Sequence, residues 1–372
     1  MNDNLKITKG QLFFFIVQTQ IGIGILGLPF NVFEEAQWDG WMSVLISGLA
    51  IQVVIFITYG LASRFPDELF FQYIHKLVGR FFGKVITLIY TFYFTAVCIL
   101  ILVLYDQMID IWLFPNTPNW VIMLLLITAA LYLTREKLHI ITRFYVFVSI
   151  LLVLVIIILL ISLTTINPLY ILPIGYNGIP AILKGVLAAM QAMIGYGVFL
   201  YIFPYVAFKK KTEVLLTVTY ANILVTGIYT FTVAITFMFF SPQEIKLVPQ
   251  PLLYMLKTFT SPIVDRLDLL FLAIWIVSVT TSLMTYLYLA SLSSAQLLKG
   301  VPRKKLVTFL AFFVYFIALG PENDLTIQNL ADGVDNANLI ATILIPFILY
   351  LIAIFRGKPN KGAVSNEKVR SS

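Results

Sequence analysis

Residues 18–30 read QTQIGIGILGLPF and interrupt an otherwise apolar run near the N-terminus. Gly22, Gly24 and Gly27 have the GxGxxG spacing of a nucleotide-binding loop, and Pro29 follows them. A dinucleotide-binding loop follows a strand and opens a βαβ unit, and neither is predicted around Gly22. The three glycines therefore need another explanation.

The composition of the chain indicates an integral membrane protein. Of its 372 residues, 60% are apolar and only 12% are charged, whereas soluble domains are about 45–50% apolar. Many apolar runs are about 20 residues long, enough to cross a lipid bilayer as a helix. Cys98 is the only cysteine, so an intrachain disulfide is excluded, and neither a metal site nor a cofactor is expected.

Apolar windows separated by polar, charged or proline-rich breaks predict an all-α membrane domain over 1–372. We predict ten transmembrane helices, at 11–30, 41–61, 85–107, 119–134, 143–163, 184–205, 215–240, 267–291, 305–320 and 337–355.

The basic residues predict the orientation of these spans. If the N-terminus is cytoplasmic, all 25 Lys and Arg residues except Lys184, Lys246, Lys257 and Arg266 fall on the cytoplasmic side. Lys and Arg in short loops favour that side of a membrane. Both termini are therefore predicted to be cytoplasmic. The basic residues on the cytoplasmic side account for the net charge of +7, so nucleic acid is not an expected partner.

A second glycine break lies half a chain after the first. Residues 192–204 read AMIGYGVFLYIFP, in which Gly195 and Gly197 interrupt span 6. Five spans separate the two breaks, so the two halves run in opposite directions through the bilayer. Amphipathic connections at 67–79 and 250–259 occupy matching places in the halves. The pattern predicts a 5+5 inverted repeat.

The repeat is predicted to comprise 1–163 and 184–355, followed by a cytoplasmic basic tail at 356–372. Transporters built from inverted repeats bind solutes near the bilayer midplane, between discontinuous helices. Glycine allows the main chain to leave helical geometry there, and a helix N-terminus attracts a carboxylate. A single glycine break is often explained by close helix packing, but two matched breaks favour a binding cavity.

Other polar residues are candidates for the walls of this cavity. Ser278, Thr281 and Thr285 share one face of span 8 by their spacing, although such hydroxyls also bond their own helix. Asp106 and Asp110, at the outer end of span 3, are expected to be solvated or to attract an ammonium group. No acid, Lys or Arg lies in the middle of a predicted span, so a proton relay is not expected.

Three motifs occur in order along the chain: QIGIGILGLP at 20–29, GYGVFLYIFP at 195–204 with the following Lys209–Lys211, and WIVSVTTSLMTYLY at 275–288. Together they resemble the B subunits of bacterial spore germinant receptors, which belong to the amino acid, polyamine and organocation (APC) transporter superfamily. The resemblance implies a LeuT-like fold with broken helices 1 and 6, in the inner membrane of the spore. It also implies a nutrient ligand, either an amino acid or a nucleoside, and two protein partners, an A subunit and a lipoprotein C subunit.

The breaks and the resemblance together give ten candidate ligand-binding residues. Some relatives carry a carboxylate in the second break where this chain has Gly197, which leaves the ligand open. A secondary amino-acid transporter is the alternative function. An enzyme is not expected, because the chain has neither an HExxH nor a GxSxG motif. The candidate residues are Gln20, Gly22, Gly24, Tyr93, Gly195, Tyr196, Gly197, Thr280, Thr281 and Thr285.

Overall fold

A computed structural model describes residues 6–241, 243–259, 266–321 and 323–356. These residues form α-helices joined by short 3-10 turns, and they contain no β-strand beyond one isolated bridge. The helices are α1 (Lys9–Gln20), α2 (Gly24–Ala36), α3 (Gly40–Ala62), α4 (Phe70–Trp112), α5 (Asn119–Thr134), α6 (Leu138–Val148), α7 (Ile150–Ile161), α8 (Gly178–Ala192), α9 (Phe199–Ile202), α10 (Thr212–Phe239), α11 (Pro251–Lys257), α12 (Leu267–Leu297), α13 (Arg303–Ala318), α14 (Asp324–Leu339) and α15 (Ile345–Phe355).

The helices have the length and surface of a multi-pass membrane protein. In the described ranges, six helical segments are long and apolar enough to cross a bilayer, and α5 and α8 are shorter apolar helices. Large apolar side chains cover the outside, among them Phe92, Phe147 and Phe309, each more than half exposed. Such a surface suits lipid rather than water. The predicted all-helical membrane protein is confirmed, whereas the count of ten spans stays a prediction.

Helix α12 forms the centre of the fold. It packs along α4 and also contacts α1, α5 and α13, and every residue from 281 to 291 is buried. Around it, α1 packs on α10 and α6, while α2 and α3 pack on α8. The two halves of the first broken helix therefore have different neighbours, which holds them at different positions.

The two predicted amphipathic connections are helical. Residues 70–78 form the first part of α4, which turns at Gly79, where φ is +84°. Residues Pro251–Lys257 form α11, which packs on α2 and α12. Of the predicted basic tail, only Arg356 lies within the described residues.

The last helix is longer than predicted from the sequence. Helix α14 begins at Asp324, not at residue 337, and continues through a π-helical turn at Ile340–Leu344 into α15. A π turn leaves a carbonyl without its usual partner, and here Tyr90 donates its hydroxyl to Ala341 O at 2.6 Å. The hydropathy pattern did not predict the first half of this helix, Asp324–Leu339, because that segment is amphipathic and polar overall.

The N-terminal segment is bound to the end of the second broken helix. Ile7 N donates to Tyr205 O and Ala207 N donates to Ile7 O, both at 2.8 Å, and this pairing forms the isolated bridge. Lys9 Nζ lies 3.2 Å from Glu213 Oε2, in an exposed ion pair. These contacts fasten the start of α1 to the chain that follows α9.

The close approach of α3 and α10 can be tested at Gly48. A Cβ at this position would lie 2.9 Å from Thr226 Cβ, and Asn222 Nδ2 donates to Gly48 O at 3.0 Å. Gly48→Ala is expected to destabilise the protein by about 1–3 kcal/mol through overpacking, measured as a lower melting temperature in detergent.

Gly227→Ala is the matched control on α10, because a Cβ there meets no atom within 4 Å. Its melting temperature is expected to equal or exceed that of the wild type, since alanine is the better helix former. Equal melting temperatures for Gly48→Ala and Gly227→Ala would contradict the close contact.

Candidate ligand-binding site

The first broken helix separates α1 from α2 at residues 21–23. The main-chain carbonyls freed at this break are bound by neighbouring helices. Tyr229 donates its hydroxyl to Gln20 O at 2.7 Å, and Trp275 Nε1 donates to Gly22 O at 3.2 Å. Because buried carbonyls need a partner, side chains of α10 and α12 stabilise the non-helical backbone.

The second broken helix separates α8 from α9 at residues 193–198. Gly195 has φ of +124°, a conformation that favours glycine. A Cβ at this position would lie 2.9 Å from Thr19 Cγ2 and 3.1 Å from Thr19 O. Glycine is therefore required at position 195 both by the positive φ angle and by the close approach of Thr19.

The two breaks are in direct contact. A Cβ at Gly24 would lie 2.5 Å from Ala192 O and 2.8 Å from Ala192 Cα. Across the same contact, Gln20 Nε2 donates to Met193 O at 3.3 Å. The glycines predicted from the sequence as break points are thus also the residues that let the two breaks approach each other.

A cavity of about 180 Å³ lies beside this contact. It extends from the breaks towards Asn31 on α2 and Ala331 on α14, and apolar residues of α4 form another wall. Among the predicted site residues, Gln20, Gly22 and Gly24 line it. Its polar lining is Thr19, Gln20, Asn31, Gln191, Ser282, Tyr286 and Asp335.

The N-terminus of α2 opens into this cavity. Gly22, Ile23 and Gly24 line the wall, and no side chain caps the first turn of α2. The first N–H groups of a helix have no partner within the helix and carry a partial positive charge. The arrangement can therefore bind a carboxylate or another anionic group.

Aromatic packing closes the space behind the second break. Tyr201 contacts the rings of Phe70, Phe71, Tyr90 and Phe94, with centroids 5.1–5.7 Å apart. These five residues are almost fully buried. The cavity consequently has no opening through this cluster.

Four predicted site residues lie on the closed side. Tyr93, Gly195 and Gly197 line a separate space of about 10 Å³, which is about the volume of a single water molecule. Tyr93 donates its hydroxyl to Asn338 Oδ1 at 2.8 Å, and the hydroxyl of Tyr196 lies 2.9 Å from that of Thr342. These residues join α4 and the second break to the last helix.

Two of the three predicted threonines of α12, Thr281 and Thr285, face α1. Thr281 Oγ1 donates to Gln18 O at 3.3 Å, and Thr285 Oγ1 lies 2.9 Å from Thr19 Oγ1. Thr280 Oγ1 donates to Ile276 O within its own helix. The three threonines lie outside the cavity lining, and their role in ligand binding stays a prediction.

The structure adds an acid that the sequence prediction placed in an outer loop. Asp335 lines the cavity, because the early start of α14 brings it into a helix. Ala331, Val334, Asp335 and Asn338 follow the i, i+3, i+4, i+7 spacing of one helical face. That spacing is the sequence signal that could have placed Asp335 on a helix, on the same face as these residues.

The sequence profile of the spore germination protein family matches residues 6–326. The chain belongs to this family. It is 27% identical over 363 residues to spore germination protein YndE of Bacillus subtilis (strain 168), covering 96% of this chain and 98% of the relative. It is 21% identical over 330 residues to spore germination protein GerQB of Bacillus cereus, covering 88% and 91%.

Two solved structures share the fold of this spore germination protein. MhsT, crystallised in complex with L-phenylalanine, has a TM-score of 0.64 at 14% identity, over 93% of this chain and 97% of MhsT. A substrate-bound Na⁺-coupled sialic acid symporter has a TM-score of 0.68 at 11% identity, over 92% and 79%. The predicted LeuT-like fold and the predicted family are confirmed, and neither comparison points to an enzyme.

The contact between the two breaks can be tested at Gly24. Gly24→Ala is expected to destabilise the protein by about 1–3 kcal/mol, because its Cβ would overlap the main chain of Ala192. Gly27→Ala on the same helix is the control, since its Cβ would meet only the Asn31 amide at 3.8 Å. Melting temperatures of the purified variants in detergent measure the difference, and equal losses in both would refute the contact.

Proposed function

We propose that this chain is the nutrient-binding membrane subunit of a spore germination receptor. A small molecule, an amino acid or a nucleoside, binds in the cavity beside the two helix breaks. Its binding changes the relative position of the broken helices, and partner subunits receive this change. The observation that carries the proposal is the cavity of about 180 Å³, bordered by the first break and by the end of α8.

The size and chemistry of the cavity support a small polar ligand. Sites for drug-sized ligands have volumes of about 300–1,000 Å³, so a cavity of about 180 Å³ suits a smaller molecule. The uncapped N-terminus of α2 provides donors for a carboxylate, and apolar residues of α4 can contact a side chain. We propose Gln20, Gly22 and Gly24 as ligand contacts, with the other seven predicted residues supporting the walls.

A sensor needs two conformations that differ in affinity for the ligand, without turnover. In the described structure the closed side of the cavity is packed by aromatic rings, and the N-terminal segment is fastened to Val206. Ligand binding beside the breaks would change the position of α2 relative to α8. Through Tyr196 and Thr342 the second break would also move the last helix.

The membrane topology, the location in the spore and the partner subunits are part of the proposal. We propose ten spans in a 5+5 inverted repeat of 1–163 and 184–355, with both termini in the cytoplasm and the protein in the inner membrane of the spore. The two oppositely placed breaks and the distribution of basic residues support it. An A subunit and a lipoprotein C subunit are the proposed partners, which affinity purification from spore membranes would test.

The alternative is a secondary transporter of amino acids, which the fold shared with a Na⁺-coupled symporter favours. Uptake of radiolabelled amino acids into proteoliposomes containing this subunit alone distinguishes the two. Saturable uptake there would support transport, whereas a sensor is expected to bind without accumulation.

The proposal is tested in spores that lack all other germination receptors. Ala188→Leu fills the cavity from α8 and is expected to raise the nutrient concentration for half-maximal germination at least about tenfold. Germination is followed by the loss of optical density with the twenty L-amino acids and the common nucleosides.

Ala129→Leu is the matched control, because residue 129 is exposed on α5 and does not line the cavity. Immunoblots of spore membranes check that both variants accumulate. If Ala188→Leu spores respond to each nutrient as wild-type spores do, the cavity is not the sensing site.

A further inference from the structure

We propose that the carboxylate of Asp335 binds a positively charged amino group of the nutrient. This inference rests on the proposed function and narrows the ligand to compounds that carry an ammonium group. It assigns recognition of the ammonium group to a residue of α14, which lies outside both helix breaks.

Asp335 is placed at the cavity by the geometry of α14. Its neighbours on the same helical face, Ala331 and Val334, line the cavity as well. One turn further on, Asn338 accepts the hydrogen bond from Tyr93, which fixes this face of α14 against α4. The carboxylate is therefore on an element anchored to α4, and it lines the same cavity as the N-terminus of α2.

Asp335 has no counterion of its own. Among the described residues that line the cavity, it is the only acidic or basic one. In the described parts of the chain it takes part in no ion pair and accepts no hydrogen bond from a side chain. Arg266, just before α12, is paired with Asp268 at 2.6 Å. A half-buried carboxylate without a partner is costly to keep charged, and a bound cation would remove that cost.

A second acceptor lines the same cavity. Gln20 is 1% exposed, and its Oε1 accepts no hydrogen bond from any described residue, although its Nε2 is bonded to Met193 O. A buried amide oxygen without a donor indicates that the donor comes from elsewhere. An ammonium group has three N–H donors, so it can satisfy Asp335 and Gln20 together.

Carboxylates surround the end of the molecule at which α14 begins. Asp332 is exposed one turn before Asp335, and Asp324 accepts a hydrogen bond from Gln107 of α4 at 3.2 Å. Asp106 and Asp110 lie on the same last turns of α4. Lys257 Nζ lies 5.8 Å from the Trp112 ring at this end, and the carboxylates outnumber it. An excess of negative charge raises the local concentration of cationic ligands, so this end attracts cations towards the cavity.

The cavity lining thus offers groups of opposite character. The uncapped start of α2 suits an anionic group, and Asp335 with Gln20 suits a cationic one. A free α-amino acid carries both charges and is the ligand class that satisfies both kinds of group. A nucleoside carries neither, so it would leave Asp335 unpaired.

The experiment compares amino acids with α-hydroxy acids of the same side chain, such as L-alanine with L-lactate. The readouts are germination of the same receptor-deleted spores and the melting temperature of the purified protein. Wild-type protein is expected to respond to the amino acid at a concentration at least about tenfold lower than to the hydroxy acid.

Asp335→Asn keeps the shape of the side chain and removes its charge. It is expected to raise the half-maximal amino-acid concentration about 10- to 100-fold, the loss typical of a charge-assisted hydrogen bond. Asp67→Asn is the matched control, because Asp67 is exposed before the start of α4, does not line the cavity and is not among the carboxylates near the start of α14. Asp335→Glu retains the charge and is expected to recover part of the response.

The outcomes separate this inference from the proposed function. If Ala188→Leu abolishes the response but Asp335→Asn leaves it unchanged, the cavity senses the nutrient and the role of Asp335 is refuted. If neither variant changes the response, both proposals fail. A wild-type response to nucleosides or hydroxy acids at the same concentrations as to amino acids also overturns the inference. If the Asp335→Asn protein does not accumulate in membranes, the inference is tested by the wild-type protein alone, from its response to amino acids compared with hydroxy acids and nucleosides.

Discussion

The structure depends on the contact between two non-helical segments inside an apolar protein. A broken helix exposes main-chain donors and acceptors, which hydrocarbon cannot satisfy. Here Tyr229 and Trp275 bind carbonyls of the first break, and Gln20 binds Met193 O of the second. Glycine at 24 and 195 lets the segments meet at van der Waals distance. The breaks, the cavity and the neighbouring helices therefore depend on one another's contacts.

Hydroxyl groups of α12 contribute to this arrangement by holding α1. Ser282 donates to Gln18 O and Thr19 O at 3.2 and 3.1 Å, and the hydroxyls of Thr285 and Thr19 are 2.9 Å apart. Tyr145 of α6 joins the same network through Thr285, at 2.8 Å. Helix α1 is thus bound on two sides before its break, whereas α2 is left with an uncapped N-terminus. The first broken helix therefore has one half held by hydroxyl groups of its neighbours and one half whose start faces the cavity.

The positions of the two helix breaks could be predicted from local sequence signals. Gly22, Gly24, Gly195 and Gly197 were identified because glycines and polar residues interrupt apolar runs at matching places. Local signals could not show which way a side chain faces. The spacing of Thr281 and Thr285 correctly indicates one helical face, but whether this face meets α1 or the cavity depends on the rotation of α12 in the bundle.

The sequence by itself determined the all-helical membrane class, the family and the positions of both breaks. These follow from hydropathy, glycine and motif order, which are properties of short segments. Only the tertiary structure decided that α14 begins at Asp324 and brings Asp335 to the cavity. The physical reason is that a polar, amphipathic helix such as α14 has no hydropathy signal, and it is stabilised by packing its one apolar face on α4.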